Sequence, residues 1–526
     1  MRLLVFHGYL LRGTGSNVYT ARLCAALVRE GHTVDLLSQE NRPEELDFVD
    51  AIGTWRDGAP HVEALREVVR LTAWRPPLGG LLPVYVADRY EAIQAKTFLE
   101  CSGQEVEDYV ERNVAAVRDV VARAPADLAL ANHLVMGPLI LARGLEGRVP
   151  YAVKIHGSAL EYVVKRDPAR FLPAAREGLA GARTVLVGSA HTARSLWAAM
   201  DDGELERRTR LGPPGVDGET FFPRSRAQAR KDVAAVIASL RAADAADAAV
   251  GAGTAPEASA FTRDAAEAAG ALASLDLDAD RHVAFVGKLI VSKGVDLLAA
   301  AWPLVLDAVP DARLVVVGFG AYRKAFERLL GALANGDLDA VAALGHEGRG
   351  AEGGPRAPLR HLLAFLDGLD GAERERYVAA AARLAERVVL TGRLEHDELA
   401  PLLAACEAQV VPSTFPEAFG MVAAEAAACG VLPVSAAHSG LAEVSAILAG
   451  VLPAEARPWL AFAVDDGAVR ALADRLIAWL TAPDALRAEV RAALAEIAAQ
   501  RFSWEGVARG VIAAAGGRHD ALAPAA

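Results

Sequence analysis

The sequence predicts an α/β protein with two Rossmann-like domains, each built on a parallel sheet, that face each other across a cleft. Short apolar runs of strand length alternate with longer helical patterns along most of the chain, which is typical of parallel sheets with crossover helices. The stretch 211–223 is rich in proline and glycine, as expected of a hinge, and the same alternation starts again beyond it. A chain of 526 residues is also longer than one hydrophobic core usually supports.

The first half of the chain opens with a buried strand, and a glycine-containing loop leads from it into a helix over 18–30. Gly31 is expected to end this helix, because glycine adopts the left-handed conformation that closes many helices. Ser189 is the expected N-cap of a helix over 190–200, since its hydroxyl can accept a hydrogen bond from a first-turn amide. The strands predicted in this half are 3–6, 33–37, 128–131, 151–155 and 184–187. Together these elements form an N-terminal domain over 1–220.

The second half repeats the pattern and forms a domain over 281–500. Its predicted strands are 283–286, 313–317, 388–390, 409–411 and 431–434. Two stretches do not follow this alternation of strands and helices. The first, 225–280, is rich in alanine and is expected to form helical pieces with a flexible middle at 251–256. The second, about 333–386, contains a glycine-rich patch at 345–354 between helical segments. Neither carries recognisable chemistry, so both are interpreted as surface additions or oligomer contacts, and homo-oligomer formation stays open.

Composition excludes several classes of function. The net charge of −12 argues against general nucleic-acid binding. The four cysteines have neither CxxC spacing nor metal-ligand spacing, so we expect buried thiols in a reducing cytoplasm. The apolar N-terminal segment is expected to be the first strand rather than a signal peptide. No apolar run is long enough to predict a transmembrane helix. The predicted location is cytoplasmic, and peripheral contact with the inner membrane face stays open.

The segment 415–430 gives the strongest functional signal. Glu417 lies in a loop just after a short apolar run, and Glu425 is expected about two turns into a helix that Gly430 ends. Gly420 lets a ligand approach the backbone. A helix start offers free N–H groups and the positive end of a dipole, which suit a diphosphate, whereas carboxylates suit hydroxyl groups. This arrangement predicts a nucleotide-sugar site.

Two lysines support this interpretation. Lys288 and Lys293 follow a predicted strand and precede a helix, at the edge of the sheet where a ligand would bind. Their charges can neutralise a diphosphate and stabilise it as a leaving group. Positive charge is therefore supplied by the chain itself, and no cluster of residues has metal-ligand spacing. The sequence predicts neither a metal nor another cofactor.

These elements, in this order, resemble the retaining glycosyltransferases of family 4, which have the GT-B fold. The matching segments are 13–19, 187–192, 215–217 together with Phe221, 391–396, 439–444 and 501–504. The resemblance covers most of the chain. It implies transfer of a sugar from a nucleoside diphosphate donor to a hydroxyl acceptor with retention of the anomeric configuration. A UDP-sugar is the first expectation for the donor, and a GDP- or ADP-sugar the next.

The resemblance also implies roles for single residues. The residues implied in donor binding are Gly15, Lys288, Lys293, Glu417, Phe419, Gly420 and Glu425. Among these, the lysines bind the diphosphate, Glu425 the ribose hydroxyls and Glu417 the transferred sugar. The implied catalytic residues are His156, which lies on the acceptor side, and Glu417, Lys288 and Lys293, which lie on the donor side. In such folds the last helix, here about 500–526, crosses back to the first domain.

The acceptor is less closely defined. His133 and His156 each follow a predicted strand, and catalytic groups in open α/β sheets lie at the carboxyl ends of strands. Asn17 lies in a segment that resembles family members acting on small polyols or sugar phosphates. A glycan or lipid-linked acceptor stays open. The basic residues Lys154, Lys165, Arg166 and Arg170 near His156 are interpreted first as a solvated charged face, and the alternative is that they meet a phosphorylated or lipid-linked acceptor at a membrane surface.

Three alternatives are kept. A nucleotide-sugar epimerase or a phosphorylase could use the same fold, and a catalytically silent scaffold could bind the nucleotide sugar and use the two insertions as partner surfaces. Within the transferase reaction, a covalent intermediate on Glu417 is not excluded by the sequence.

Overall fold

The computed structural model describes residues 1–13, 15–86, 94–250 and 264–525. They form two compact units, Met1–Gly215 together with Phe502–Ala526, and Val216–Arg501. The second unit therefore begins inside the stretch rich in proline and glycine. The predicted flexible middle at 251–256 lies outside the described residues.

The first unit is built on a nine-stranded sheet with the order β11-β10-β9-β8-β1-β2-β5-β3-β4. The strands of this unit are β1 (Arg2–Phe6), β2 (Thr33–Leu37), β3 (Ala51–Arg56), β4 (Ala59–Ala64), β5 (Leu71–Trp74), β6 (Leu81–Val84), β7 (Gln94–Thr97), β8 (Leu128–Asn132), β9 (Tyr151–Ile155), β10 (Thr184–Val187) and β11 (Thr209–Leu211). The helices up to β11 are α1 (Gly15–Arg29), α2 (Gly103–Arg123), α3 (Gly137–Leu145), α4 (Pro168–Ala180), α5 (Ala190–Met200) and α6 (Gly203–Arg208). Neighbouring strands run parallel except in the β3–β4 hairpin at one edge. The pair β6–β7 forms a separate two-stranded sheet.

Strand β1 shows why this sheet forms. Leu4 and Phe6 lie in one hydrophobic core, whereas Leu3 and Val5 lie in a second core on the opposite face. Side chains alternate between the two faces of a strand, and helices cover both faces of this parallel sheet. The strand therefore reads as a continuous apolar run, and its prediction is confirmed.

The second unit has a six-stranded parallel sheet with the order β14-β13-β12-β15-β16-β17. Its strands are β12 (Arg281–Val286), β13 (Ala312–Val317), β14 (Val388–Gly392), β15 (Ala408–Val411), β16 (Leu432–Ala436) and β17 (Ala461–Phe462). Its helices are α7 (Arg226–Val250), α8 (Ala265–Ala273), α9 (Val295–Ala308), α10 (Arg323–Ala334), α11 (Leu338–Glu347), α12 (Arg360–Asp367), α13 (Gly371–Ala381), α14 (Leu384–Arg387), α15 (His396–Ala405), α16 (Met421–Ala428), α17 (Ser439–Ala449), α18 (Ala468–Leu480) and α19 (Asp484–Arg501).

The two insertions contain the expected helices. In the first, α7 and α8 pack together, with α7 also against α15 and α8 against β14. In the second, α12 and α13 both contact α9. The final helix, α20 (Trp504–Ala515), packs against α1 in the first unit.

Some element boundaries differ from the predictions. Helix α1 begins at Gly15 instead of residue 18, because Asn17 is buried within the fold and tertiary packing overrides the weak helix propensity of the first turn. Glu425 lies one turn, not two, into its helix, since Gly420 has a non-helical φ of 120° and α16 starts only at Met421. The four cysteines are buried free thiols, as predicted. Among the described helices, none combines the length and the hydropathy that a membrane span requires.

Candidate functional site

The loops that follow β12, β15 and β16 gather the predicted donor residues in the second unit. These three strands are neighbours in the sheet, so their carboxyl ends meet at one edge. Helices α9, α16 and α17 begin directly after the loops, and each presents its N-terminus at this edge. Helix N-termini attract anions through unpaired N–H groups and the helix dipole. The sheet order therefore brings together residues that are far apart in sequence.

The loop between β12 and α9 carries both lysines. Its backbone is held on one side by Leu289, whose N–H donates to the Phe319 carbonyl at 2.7 Å. At its end, Gly294 has a φ of 67°, and a Cβ there would lie 1.9 Å from the carbonyl oxygen of Pro412. Only glycine fits so close an approach. The loop is thereby packed directly against the segment that leads to Glu417.

Lys293 and Glu417 form an ion pair. The Nζ of Lys293 donates to Oε1 of Glu417, and the hydroxyl of Ser413 donates to the same oxygen at 2.5 Å. The side chains of Lys293 and Glu417 are 31% and 25% exposed, so both are open to a ligand. The structure thus places the predicted diphosphate-binding and sugar-binding residues in direct contact. Lys288 is exposed in the same loop as Lys293.

The backbone around Glu417 is fixed by the start of α17. The N–H of Glu417 donates to the hydroxyl of Ser439 at 2.9 Å, and the Gly440 N–H donates to the Glu417 carbonyl at 3.0 Å. A Cβ on Gly440 would lie 2.5 Å from the Cα of Phe419. The two loops are therefore in van der Waals contact along their backbones. Glu425, one turn into α16, is buried.

A second group of predicted residues gathers in the first unit, at the carboxyl ends of β1, β8 and β9. The rings of His133 and His156 lie 4.9 Å apart, and those of His133 and His7 lie 5.7 Å apart. His156 donates from Nε2 to Oδ1 of Asn132 at 2.7 Å, and His7 donates from Nε2 to Oδ1 of Asn17 at 2.9 Å. Asn17, His133 and His156, the predicted acceptor residues, therefore belong to one cluster.

Burial keeps this cluster uncharged. Burial lowers the pKa of His7 to about 4, against smaller opposing effects of its hydrogen bonds. The pKa of His133 and of His156 lies well below the ordinary value, mainly because of burial and then because of neighbouring basic groups. Within the described part of the chain, neither ring nitrogen of His133 has a hydrogen-bond partner. A neutral imidazole of this kind can donate a hydrogen bond to a hydroxyl group from one ring nitrogen and accept one at the other.

Lys154 corrects one expectation. It was expected on a charged face open to solvent or to an acceptor at a membrane surface, but it is 2% exposed and donates from Nζ to the Gly212 carbonyl at 2.5 Å. Its Nζ also lies 5.3 Å from the centre of the Tyr19 ring. Burial lowers the pKa of Lys154 to about 7. A strand that is buried on both faces leaves a lysine no route to solvent, so Lys154 is internal to the histidine cluster.

Two residues of the histidine cluster were not predicted, and one predicted donor residue, Gly15, lies in the first unit and not with the other donor residues. His7 and Asn132 complete the histidine cluster, and the signal for His7 was its position directly after the first predicted strand. Gly15, predicted near the donor phosphates, begins α1 and is exposed, and a Cβ there would meet no atom within 4 Å. Its role in donor binding stays a prediction.

Comparison with known proteins decides the family. The family described as "Glycosyl transferase 4-like domain" matches residues 14–201, and "Glycosyl transferases group 1" matches residues 361–501. Both models describe glycosyltransferases, and with the structural neighbours they indicate a glycosyltransferase of the group 1 kind with the GT-B fold. The family and the fold predicted from the sequence are both confirmed. Lys288 and Lys293 lie outside both matched ranges, whereas Glu417 and His156 lie inside them.

Individual relatives agree with this assignment. The D-inositol 3-phosphate glycosyltransferase of Segniliparus rotundus is 33% identical over 262 residues, which are 49% of this chain and 45% of that protein. The chain thus spans less than half the length of that curated relative. The catalytic domain of starch synthase IV from Arabidopsis thaliana, bound to ADP and acarbose, has a TM-score of 0.55 at 12% identity over 98% of both chains. The HepE protein of Anabaena, in complex with UDP and glucose, has a TM-score of 0.51 at 16% identity over 97% of this chain and 98% of that chain.

Proposed function

We propose that this chain transfers a sugar from a nucleoside diphosphate donor to a hydroxyl acceptor and retains the anomeric configuration. The observation that carries the proposal is the contact between Lys293 and Glu417 where three helix N-termini meet. A cation beside helix N-termini suits a diphosphate, and a carboxylate beside the cation suits the hydroxyl groups of a sugar. Both requirements of a nucleotide sugar are met within one edge of one sheet.

The donor would bind through four side chains. Lys288 and Lys293 would hold the diphosphate, Glu425 the ribose hydroxyls and Glu417 the transferred sugar. An ammonium group has three N–H donors, so Lys293 can keep its contact with Glu417 and still donate to a phosphate. Because these lysines and the helix N-termini already supply positive charge, the proposed reaction needs no metal.

For the base, we propose uridine first and guanosine or adenosine next. One structural neighbour is described in complex with UDP and glucose and another with ADP, so the neighbours support a nucleotide donor but not one base.

The proposed mechanism places catalysis on the departing diphosphate. Negative charge builds on it as the bond to the anomeric carbon breaks, and preorganised positive groups contribute about 3–4 kcal/mol each in such sites. Oε1 of Glu417 accepts hydrogen bonds from both Lys293 and Ser413, and both bonds reduce its nucleophilicity. This favours attack by the acceptor on the face that the diphosphate leaves, with the phosphate taking the proton, over a covalent intermediate on Glu417.

The acceptor would meet the histidine cluster of the first unit. His156 would orient the acceptor hydroxyl, with His133 and Asn17 as further contacts. A small polyol or a sugar phosphate is the first candidate, since the relative from Segniliparus rotundus is named for D-inositol 3-phosphate.

A turnover assay tests the proposal. UDP-, GDP- and ADP-glucose are each incubated with the protein and a panel of polyols, sugar phosphates and glycans, and release of the nucleoside diphosphate is followed. We expect release that depends on an acceptor and that falls at least tenfold in His156→Ala. Conversion of the donor without an acceptor would favour an epimerase, and dependence on inorganic phosphate a phosphorylase. Tight binding without any turnover would support the scaffold alternative.

A further inference from the structure

The second insertion reaches the loop that carries both lysines. Glu352 ends a short 3-10 turn, Arg349–Glu352, that follows α11. Its Oε2 accepts a hydrogen bond from the N–H of Val291 at 2.8 Å. Val291 is the first residue of the 3-10 turn Val291–Lys293, so the carboxylate caps the turn that presents Lys293. The side chain of Glu352 is only 10% exposed, which makes this contact part of the interior and not a surface pair.

The segment around Glu352 is itself held in place. Oε1 of Glu352 lies 3.3 Å from Nε of Arg349, so each carboxylate oxygen has a partner. The Arg349 N–H donates to the Ala357 carbonyl at 3.1 Å, and the Leu359 N–H donates to the Gly345 carbonyl at 2.8 Å. These bonds close the glycine-rich patch into a fixed loop.

The same insertion also packs against α9, the helix that follows the lysine loop. Helices α12 and α13 both pack against α9, and the hydroxyl of Tyr377 in α13 donates to the Ala300 carbonyl in α9 at 2.9 Å. Since α9 begins two residues after Lys293, the insertion contacts the lysine loop through Glu352 and the following helix through Tyr377. The second insertion therefore holds both the lysine loop and α9 in place.

We propose that Glu352 is a positioning residue that orders the loop 287–294 for the donor diphosphate, so that the second insertion sets donor affinity. This inference rests on the proposed function of the loop. Without Glu352 the Val291 N–H would turn to water and the loop would sample more conformations. Binding of a diphosphate would then have to order the loop again, which weakens affinity without removing any contact to the ligand.

Two measurements on the full chain test the inference. The first is the dissociation constant for UDP, GDP and ADP by calorimetry, on wild type, Glu352→Ala and Glu352→Gln. The loss of one charge-assisted hydrogen bond should weaken binding of the preferred nucleotide about tenfold in the alanine variant. The glutamine variant keeps an oxygen acceptor and should stay within about threefold of wild type. The second measurement is hydrogen exchange of the peptide covering 287–294, which should speed up in Glu352→Ala and not in Glu352→Gln.

Glu373→Ala is the matched control. Glu373 pairs with Arg470 and also belongs to the insertion, so its loss should lower the melting temperature without changing nucleotide affinity or exchange in the loop. Equal nucleotide affinity in wild type and Glu352→Ala overturns the inference, as does unchanged exchange at 287–294. If wild type binds none of the three nucleotides, the proposed function fails, and the exchange measurement alone still decides whether Glu352 orders the loop.

Discussion

Replacing the buried Lys154 with methionine should stabilise the protein at neutral pH and leave its stability nearly unchanged at pH 10. Burial lowers the pKa of Lys154 from 10.5 to about 7, so the folded state prefers the neutral amine. Between these values the unfolded chain binds one more proton than the folded chain, and the stability of wild type rises with pH. The difference in pKa corresponds to about 5 kcal/mol, most of it gained between pH 7 and pH 10. Methionine cannot be charged, so Lys154→Met lacks this dependence.

The assay is guanidinium unfolding, followed by circular dichroism, at pH 7, 8, 9 and 10. We expect the stability of Lys154→Met relative to wild type to fall by about 4 kcal/mol across this range. Methionine also removes the hydrogen bond to Gly212, which contributes about 1 kcal/mol at every pH and does not alter the trend. Lys165→Met, on the surface, controls for the general loss of a lysine. A difference between variant and wild type that is the same at all four values would refute the reasoning.

Three further substitutions test other parts of the structure. Glu425→Ala should weaken UDP binding at least tenfold by calorimetry, because hydrogen bonds from hydroxyl groups to a buried carboxylate contribute about 1.5–3 kcal/mol each; unchanged binding would remove Glu425 from the site. Glu417→Gln should cut sugar transfer at least tenfold while UDP binding is retained or tightened, since Lys293 loses its charged partner, and a parallel loss of both would contradict this division of roles. Asp296→Asn should stabilise the protein increasingly between pH 4 and pH 8. Burial raises the pKa of Asp296 to about 7, so wild type loses stability as the pH rises through this range; parallel unfolding curves for variant and wild type would exclude that effect.

Most strands that were predicted from the sequence are buried along their length, although the fully buried β5 was missed and the predicted β14 is only partly buried. Strands β9 and β10 were located without error because a parallel sheet covered on both sides requires an unbroken apolar run. The edge hairpin β3–β4 was missed, since its strands are partly exposed and mix polar with apolar residues. A usable signal was present in Asp57-Gly58, both of which have positive φ in the turn, as a two-residue hairpin loop requires.

The residues of the site that follow buried strands could be predicted from the sequence. Glu417, Lys293 and His156 were found because each follows a buried strand, and adjacent strands bring their carboxyl ends together. The pairing of Lys293 with Glu417 spans 124 residues and depends on which strands are neighbours, which the sequence does not specify. The contact from Glu352 depends on how the insertion folds back, and no local pattern indicates it.

The most direct test of the account is whether the two lysines bind a nucleoside diphosphate. UDP, GDP and ADP, with their glucose conjugates, are added to wild type, to Lys288→Ala/Lys293→Ala and to the control Lys231→Ala/Lys324→Ala, and the melting temperature is followed. A ligand at 100 times its dissociation constant should add about 2.7 kcal/mol of stability. The account predicts a clear shift with one base in wild type and in the control, and its loss in Lys288→Ala/Lys293→Ala. An equal shift in all three proteins, or no shift with any nucleotide, would contradict it.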